Sequence, residues 1–294
     1  MKIGVDLGGS HIGVGLVDKD KNFTKEDREN IEEIILDAIF TYTEELLAEE
    51  NLSKEDIKLI GIAAPGLISK NEIVKSSNLG INHFYLPQIV EEKLGIKTQI
   101  RNDAKCAGMA EVKYGALRDY NDSLFLCLGT GIGGAAFFNK KLLEPSGYEG
   151  FEFGHMIIEK NGRTCSCGKK GCFEQYASIR VFKREVCKVL KISDSISGQE
   201  LRKVLAENAD NKKVQAEIEN FVYALKIGVG NLIDIFEPQA ICFGGSFSYY
   251  ENNPVLEKLV NKINESDTTF TISKKPDIVL AKYKNEAGII GATL

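Results

Sequence analysis

One short pattern, an apolar run followed by a glycine-rich turn and a second apolar run, occurs twice in this chain. This repeat constrains the fold more than any other feature of the sequence. An apolar run leads into the glycine-rich turn Gly8-Gly9-Ser10, and another leads into Gly129-Thr130-Gly131. A second apolar run follows each turn, which is the pattern of a β-hairpin. The four runs cover residues 2–6, 12–17, 123–128 and 133–138. Two such hairpins predict two similar α/β lobes that face one another across a cleft.

In the segments between these hairpins and after the second one, apolar residues recur at the spacing of an amphipathic helix. Thr24 followed by Asp27 predicts the start of the first helix. Further helices are predicted over 87–94, 103–114, 174–190, 214–236 and 285–292, and further strands over 59–64, 98–101 and 240–243. We therefore expect a small lobe over 1–117 and a large lobe over 118–284, with 285–294 packing back on the small lobe.

Three cysteines and a histidine form the most specific chemical motif. Cys165, Cys167 and Cys172 lie within eight residues, ten residues after His155. Free cysteines are often small core residues, but these stand among Gly, Lys and Ser, which is not a core pattern. Thiolates and an imidazole are the usual ligands of tetrahedral zinc. The motif predicts a structural zinc site, because four protein ligands leave no open position for catalysis.

Charge and cysteine content narrow the class of protein. The formal net charge is -5, which argues against nonspecific nucleic-acid binding, since that binding needs basic patches. Seven cysteines, with three of them clustered, fit a reducing compartment better than a disulfide framework. The first residues run into a strand without a signal-peptide pattern, and no stretch has the length of a membrane helix. We expect a cytoplasmic protein that does not bind a membrane.

Glycine-rich turns after strands can bind phosphate, because backbone N–H groups approach the ligand closely there. A third such turn, Gly244-Gly245-Ser246, follows the strand predicted at 240–243. Each turn alone is also compatible with an ordinary hairpin, whereas three together favour phosphate binding. Asp6 ends the first strand, and its carboxylate could hold Mg²⁺ through water or could only cap the turn.

Asp103 is the candidate catalytic residue. It follows the apolar strand predicted at 98–101 and begins the next helix, so a rigid element would hold it at the cleft. The alternative is an ordinary helix N-cap, a position that Asp favours. The position of Asp103 between a predicted strand and a predicted helix by itself favours the N-cap interpretation.

Six motifs along the chain resemble, in the same order, those of the ROK family of sugar kinases. They are 6–10 (DLGGS), 65–66 (PG), 102–107 (NDAKCA), 128–134 (LGTGIGG), 152–155 (EFGH) and 165–174 (CSCGKKGCFE). The resemblance covers nearly the whole chain. It implies the α/β, two-lobed, actin/hexokinase-like (ribonuclease H-like) ATPase fold. It also implies ATP- and Mg²⁺-dependent phosphorylation of a hexose or N-acetylhexosamine by a protein that is commonly a homodimer.

The resemblance assigns roles to individual residues. Asp103 would be the general base that takes a proton from the sugar hydroxyl, and His155 would bind zinc through one ring nitrogen and the sugar through the other. The sugar-binding set would be Gly66, Asn78, Asn102, Asp103, Glu152, His155 and Glu174. The nucleotide and its metal would lie against Asp6, Gly8, Gly9, Ser10, His11, Gly129, Thr130, Gly131, Gly133, Gly244 and Gly245.

Three features depart from the family pattern. His11 stands where the family usually has Lys, and Phe151 stands where it usually has a small Gly. The segment 18–30 is also short. Repressors of the same family carry a DNA-binding extension before the motif that contains the first glycine turn. Here that motif begins at residue 6, so a repressor is not expected. The remaining alternative to a kinase is a non-catalytic sugar-binding or regulatory protein.

Overall fold

Two compact units make up the chain. The computed structural model describes residues 1–8, 11–14, 20–22, 30–145, 150–251, 253–265 and 275–294. The first unit consists of Met1–Arg118, Leu142–Phe151 and Asn285–Leu294, and the second of Asp119–Lys141 and Glu152–Lys284. Within the described ranges, no helix combines the length and the apolar character needed to cross a membrane.

The first unit is built on a mixed sheet. Its strands are β1 (Lys2–Leu7), β2 (His11–Val14), β3 (Asp20–Asn22), β4 (Leu59–Ala64) and β8 (Thr98–Asn102), in the order β3-β2-β1-β4-β8. The predicted hairpin is confirmed, because β1 and β2 pair antiparallel with Leu7 opposite Ile12. Strands β1, β4 and β8 run parallel. A smaller sheet contains β5 (Leu67–Ile68), β6 (Ile73–Ser76) and β7 (Ile81–Phe84).

Helices cover the sheet of the first unit. They are α1 (Ile31–Glu49), α2 (Leu86–Leu94), α3 (Asp103–Tyr114) and α9 (Ala287–Ala292). The predicted cap at Thr24 and Asp27 lies outside the described residues, and α1 begins after Asn30. Helix α2 carries Pro87 in its first turn and ends at Gly95, whose left-handed backbone suits glycine.

The second unit repeats the mixed sheet. Its strands are β9 (Ser123–Leu128), β10 (Ile132–Phe138), β11 (Lys141–Leu142), β12 (Ala240–Gly245) and β13 (Asp277–Leu280), in the order β11-β10-β9-β12-β13. The second hairpin is also confirmed, since Leu128 of β9 lies opposite Ile132 of β10. The helices are α4 (Glu174–Ala177), α5 (Ile179–Leu190), α6 (Gly198–Glu207), α7 (Lys212–Phe236) and α8 (Pro254–Asn264).

The single helix predicted over 174–190 is wrong, because the chain breaks it at Ser178. This residue has an extended backbone (φ -77°, ψ 151°), and its hydroxyl accepts a hydrogen bond from the Val181 N–H at 3.4 Å. A buried serine that caps a new helix competes with continuation of the old one. The segment therefore forms α4 and α5, with Ser178 between them.

Glycines let α9 pack directly on the backbone of the first unit. A Cβ at Gly61 of β4 would lie 1.9 Å from the Ala292 carbonyl oxygen. A Cβ at Gly291 of α9 would lie 1.7 Å from the carbonyl oxygen of Cys106 in α3. Real Cβ atoms do not approach other atoms so closely, so α9 can occupy this position only with glycine at both sites.

Gly291→Ala is expected to destabilise the first unit by about 3 kcal/mol, at the upper end of over-packing costs, because the opposing atoms are backbone and cannot rotate away. Urea unfolding followed by circular dichroism measures this change. Gly230→Ala in α7 is the matched control, since nothing lies within 4 Å of its added Cβ. Removing a mid-helix glycine there should stabilise by about 0.5–1 kcal/mol. Equal stability of the two variants would contradict the packing argument.

Candidate active site and metal centre

The predicted zinc ligands come together in the second unit. The ligand atoms of His155, Cys165, Cys167 and Cys172 all lie within 4.8 Å of one another. The Cys167 and Cys172 sulfurs are 3.6 Å apart, and the Cys165 sulfur is 3.6 Å from His155 Nδ1. Tetrahedral zinc with ordinary bond lengths places two sulfurs about 3.8 Å apart and a sulfur and a nitrogen about 3.6 Å apart. The donor set and its spacing therefore fit zinc.

Tight turns fold the cysteine loop. Gly171 has φ +83°, and a Cβ on it would lie 1.8 Å from the Glu159 carbonyl oxygen, so this position needs glycine. The loop closes through an isolated bridge between Ile157 and Cys172. His155 ends the short 3-10 helix Phe153–His155 that follows the β10 hairpin. The loop thus presents four donors from a segment of only eighteen residues, 155–172.

Two of the thiols hold their protons strongly when no cation is bound. Burial, followed by hydrogen bonds from the neighbouring thiols, raises the pKa of Cys172 to about 12. Burial is also the main cause of the raised pKa of Cys165. A bound divalent cation would stabilise the thiolates and displace these protons. Metal affinity of this site should therefore increase with pH.

Glu174 lies against the metal site. It is 8% exposed, and its Oε1 lies 3.1 Å from the Cys165 sulfur and 4.0 Å from His155 Nδ1. Glu152 precedes the 3-10 helix, and its carbonyl oxygen accepts the His155 N–H at 3.0 Å. The Glu174 carboxylate thus lies beside the metal site, and Glu152 is joined to His155 through the backbone.

Two of the glycine turns lie side by side in the second unit. Strand β12 runs parallel to β9, and Gly245 pairs with Leu128, so Gly244 and Gly245 lie next to the turn at 129–131. Gly245 has φ +63°, which favours glycine. The turn closes with a 3.0 Å hydrogen bond from the Gly129 N–H to the Gly131 carbonyl, and Thr130 at its tip is exposed. Gly133 lies in β10 just beyond this turn.

The carboxyl ends of three parallel strands bring Asp6 and Asp103 to one edge of the sheet in the first unit. Asp6 of β1 pairs with Ala63 of β4, and Ala64 pairs with Asn102 of β8, directly before Asp103. Ligands of α/β sheets usually bind at this edge. A Cβ at Gly288 of α9 would lie 2.8 Å from the Asp6 carboxylate, so this close approach needs glycine. The sequence signal for Gly288 is only the run of small residues near the C-terminus.

The N-cap interpretation of Asp103 is wrong, because Asn102 occupies that position. The Asn102 Oδ1 accepts the Lys105 N–H at 3.3 Å, and its Nδ2 donates to the Gly66 carbonyl at 3.2 Å. The Asp103 carboxylate accepts the Ala104 N–H at 2.8 Å and is partly buried.

The other residues of the first unit that were predicted to bind sugar or nucleotide do not form one cluster among the described residues. Gly66 has φ +115°, and a Cβ there would lie 2.4 Å from the Lys75 carbonyl oxygen. Asn78 lies in an exposed turn between β6 and β7. Gly8 directly follows β1, whereas Gly9 and Ser10 lie outside the described residues. His11 begins β2, and its side chain also lies outside the described part of the chain.

Phe151, the departure from the family pattern, has φ +54°. Glycine adopts this left-handed backbone without strain, but a bulky side chain does so at a cost of about 1–2 kcal/mol. The backbone geometry therefore explains why glycine is the usual residue before Glu152. With phenylalanine at position 151, the backbone keeps the left-handed conformation at the cost of this strain.

Comparisons with known proteins agree with the fold and the motifs. The glucokinase of Thermotoga maritima is 32% identical over 308 residues, covering 99% of this chain and 95% of that protein. The xylose repressor of Bacillus spizizenii is 31% identical over 263 residues, covering 86% of this chain and 66% of the repressor. The crystal structure of a ROK hexokinase from Thermus thermophilus matches with a TM-score of 0.78 at 27% identity, over 99% of this chain and 96% of that one.

These matches establish that the chain has the α/β, two-lobed fold of the hexokinases. The family model described as "ROK family" matches residues 2–294, which is nearly the complete chain. The chain therefore belongs to the ROK family.

Proposed function

We propose that this chain transfers the γ-phosphoryl group of ATP to a hydroxyl of a hexose or N-acetylhexosamine. The observation that carries the proposal is the position of Asp103. It directly follows β8, which runs parallel to β4, and Asn102 rather than Asp103 caps α3. A carboxylate held there by a helix and a strand suits a general base. The similarity to glucokinase supports the same reaction class.

Sugar recognition needs several directed hydrogen bonds, because a sugar is uncharged and rich in hydroxyls. In the proposed mechanism the Asp103 carboxylate takes the proton of the attacking hydroxyl. The remaining hydroxyls are bound by carboxylates and amides, among them the amide of Asn102. The proposed sugar ligands are Gly66, Asn78, Asn102, Glu152, His155 and Glu174.

Phosphoryl transfer needs alignment and charge stabilisation more than covalent chemistry from the protein. Backbone N–H groups of the turns at 8–10, 129–131 and 244–245 are proposed to bind the phosphates, with Gly133 and His11 alongside. Asp6 would hold Mg²⁺, and that cation supplies charge neutralisation on the phosphate oxygens when bound. Gly288 places no side chain against the carboxylate of Asp6.

Zinc has a structural part in this proposal. It would be held by His155, Cys165, Cys167 and Cys172, and it supplies a rigid cross-link when bound. Because His155 Nδ1 faces the sulfurs, its Nε2 remains for a sugar hydroxyl. The cross-link thereby fixes the tautomer and the orientation of a substrate ligand.

A sugar-responsive regulatory protein is the second candidate. It is favoured by the 31% identity to a xylose repressor over 86% of this chain. Such a protein would keep the sugar ligands and bind sugar without transferring phosphate. The two candidates therefore differ in turnover, whereas sugar binding is common to both.

Steady-state release of ADP separates the two candidates. The zinc-loaded protein is assayed with ATP and Mg²⁺ against glucose, N-acetylglucosamine, N-acetylmannosamine, fructose, allose and xylose, with a sugar-free reaction as the blank. We expect saturable, sugar-dependent ADP release with at least one hexose or N-acetylhexosamine. Calorimetric sugar binding without ADP release on any of them would contradict the kinase and support the regulatory protein.

A further inference from the structure

We propose that the metal site positions the glycine turn at 129–131 through Glu174 and the helix break at Ser178, so that zinc binding and nucleotide binding favour each other. The inference rests on the proposed function, which assigns this turn to the phosphates of the nucleotide. All of the residues involved belong to the second unit.

The first connection runs through the two carboxylate oxygens of Glu174. Oε1 lies 3.1 Å from the Cys165 sulfur, and it also accepts the Gln175 amide at 3.2 Å. Oε2 lies over the glycine turn, where a Cβ added to Gly131 would be only 2.6 Å away. The side chain is 11% exposed and therefore has little room to move. Gly131 thus provides the space for a carboxylate that is anchored at the metal site.

The second connection depends on the break between α4 and α5. The first N–H groups of a helix have no partner inside that helix. Arg180 is the second residue of α5, and its N–H donates to the Gly129 carbonyl at 3.1 Å. In an unbroken helix this N–H would bond to the carbonyl of Tyr176 instead. The extended Ser178 therefore releases a donor that holds the other end of the turn.

Both contacts come from the segment that directly follows a zinc ligand. Glu174 and Arg180 lie two and eight positions after Cys172, which is fully buried. The Phe173 N–H donates to the Met156 carbonyl at 2.8 Å, which ties this segment next to His155. Cys172 and His155 would be held relative to one another when zinc is bound, and this would also hold the start of the segment that contacts Gly129 and Gly131. If the nucleotide binds better when this turn is ordered, then zinc binding favours nucleotide binding. Thermodynamic linkage then requires that the nucleotide also tightens zinc binding.

The test measures zinc affinity by chelator competition on the full chain, with and without saturating AMP-PNP and Mg²⁺. We expect AMP-PNP to tighten zinc binding by about 5- to 20-fold, in the range of coupling between distinct sites. Unchanged zinc affinity despite bound AMP-PNP would overturn this inference and leave the proposed function standing. Failure of AMP-PNP to bind the zinc-loaded chain would contradict the proposed function, and the coupling with it.

A double-mutant cycle tests the Glu174 contact without any nucleotide. Gly131→Ala adds a methyl group against Glu174 and is expected to weaken zinc binding about 10-fold, although residue 131 is not a ligand. In the Glu174→Ala background the methyl group has space, so adding Gly131→Ala should change zinc affinity less than about 2-fold. Gly230→Ala, with an unobstructed Cβ, should leave zinc affinity unchanged. If Gly131→Ala changed zinc affinity equally in both backgrounds, the proposed coupling through the Glu174 contact would be wrong.

Discussion

Asp103→Asn is expected to lower turnover by about two to four orders of magnitude, the usual loss when a general base is removed. Sugar binding should be largely unchanged, because the amide has the same size and keeps an oxygen that can accept the Ala104 N–H. Helix α3 should also be retained, since its cap is Asn102. Steady-state ADP release and calorimetric sugar binding measure the two effects separately.

The control for this variant is Asp37→Asn. Asp37 is exposed on α1, so the same exchange removes a charge outside the proposed site. It should alter neither turnover nor sugar affinity. Turnover of Asp103→Asn close to the wild-type value would remove Asp103 from the role of base. Loss of sugar binding together with turnover would instead indicate that Asp103 mainly binds the sugar.

Elements whose periodicity is strong could be predicted from the sequence. The buried strands β4 and β9 consist almost entirely of apolar residues, and both hairpins carry a glycine turn between two largely apolar strands. The metal ligands could be predicted because three are close in sequence and their chemistry is specific. Local signals sufficed in each of these cases.

Features decided by tertiary contacts could not be predicted in the same way. The break at Ser178 depends on one buried hydroxyl in a segment whose apolar residues continue at helical spacing. The choice of Asn102 over Asp103 as the cap depends on the Gly66 carbonyl, which is distant in sequence. The strands β5 to β7 have two to four residues each, too few to show an alternating pattern.

Cys172→Ser is expected to remove nearly all zinc and to destabilise the second unit by several kcal/mol, about 3 or more. The wild-type chain should carry about one zinc, because the four donors make one closed site. Sugar affinity should fall as well, since His155 and Glu174 lose the anchor beside them. Plasma mass spectrometry gives the zinc content, and urea unfolding gives the free energy of unfolding.

Two further variants separate the loss of zinc from the cost of burying a hydroxyl. Cys187→Ser replaces a buried cysteine of α5 outside the metal site, so it should keep zinc and cost about 1–3 kcal/mol. Cys167→Ser replaces an exposed ligand, so it should lose zinc with little hydroxyl burial. If zinc stabilises the unit, Cys167→Ser resembles Cys172→Ser in zinc content, unfolding and sugar affinity. If Cys167→Ser loses zinc yet unfolds like the wild-type chain, the metal does not stabilise this unit.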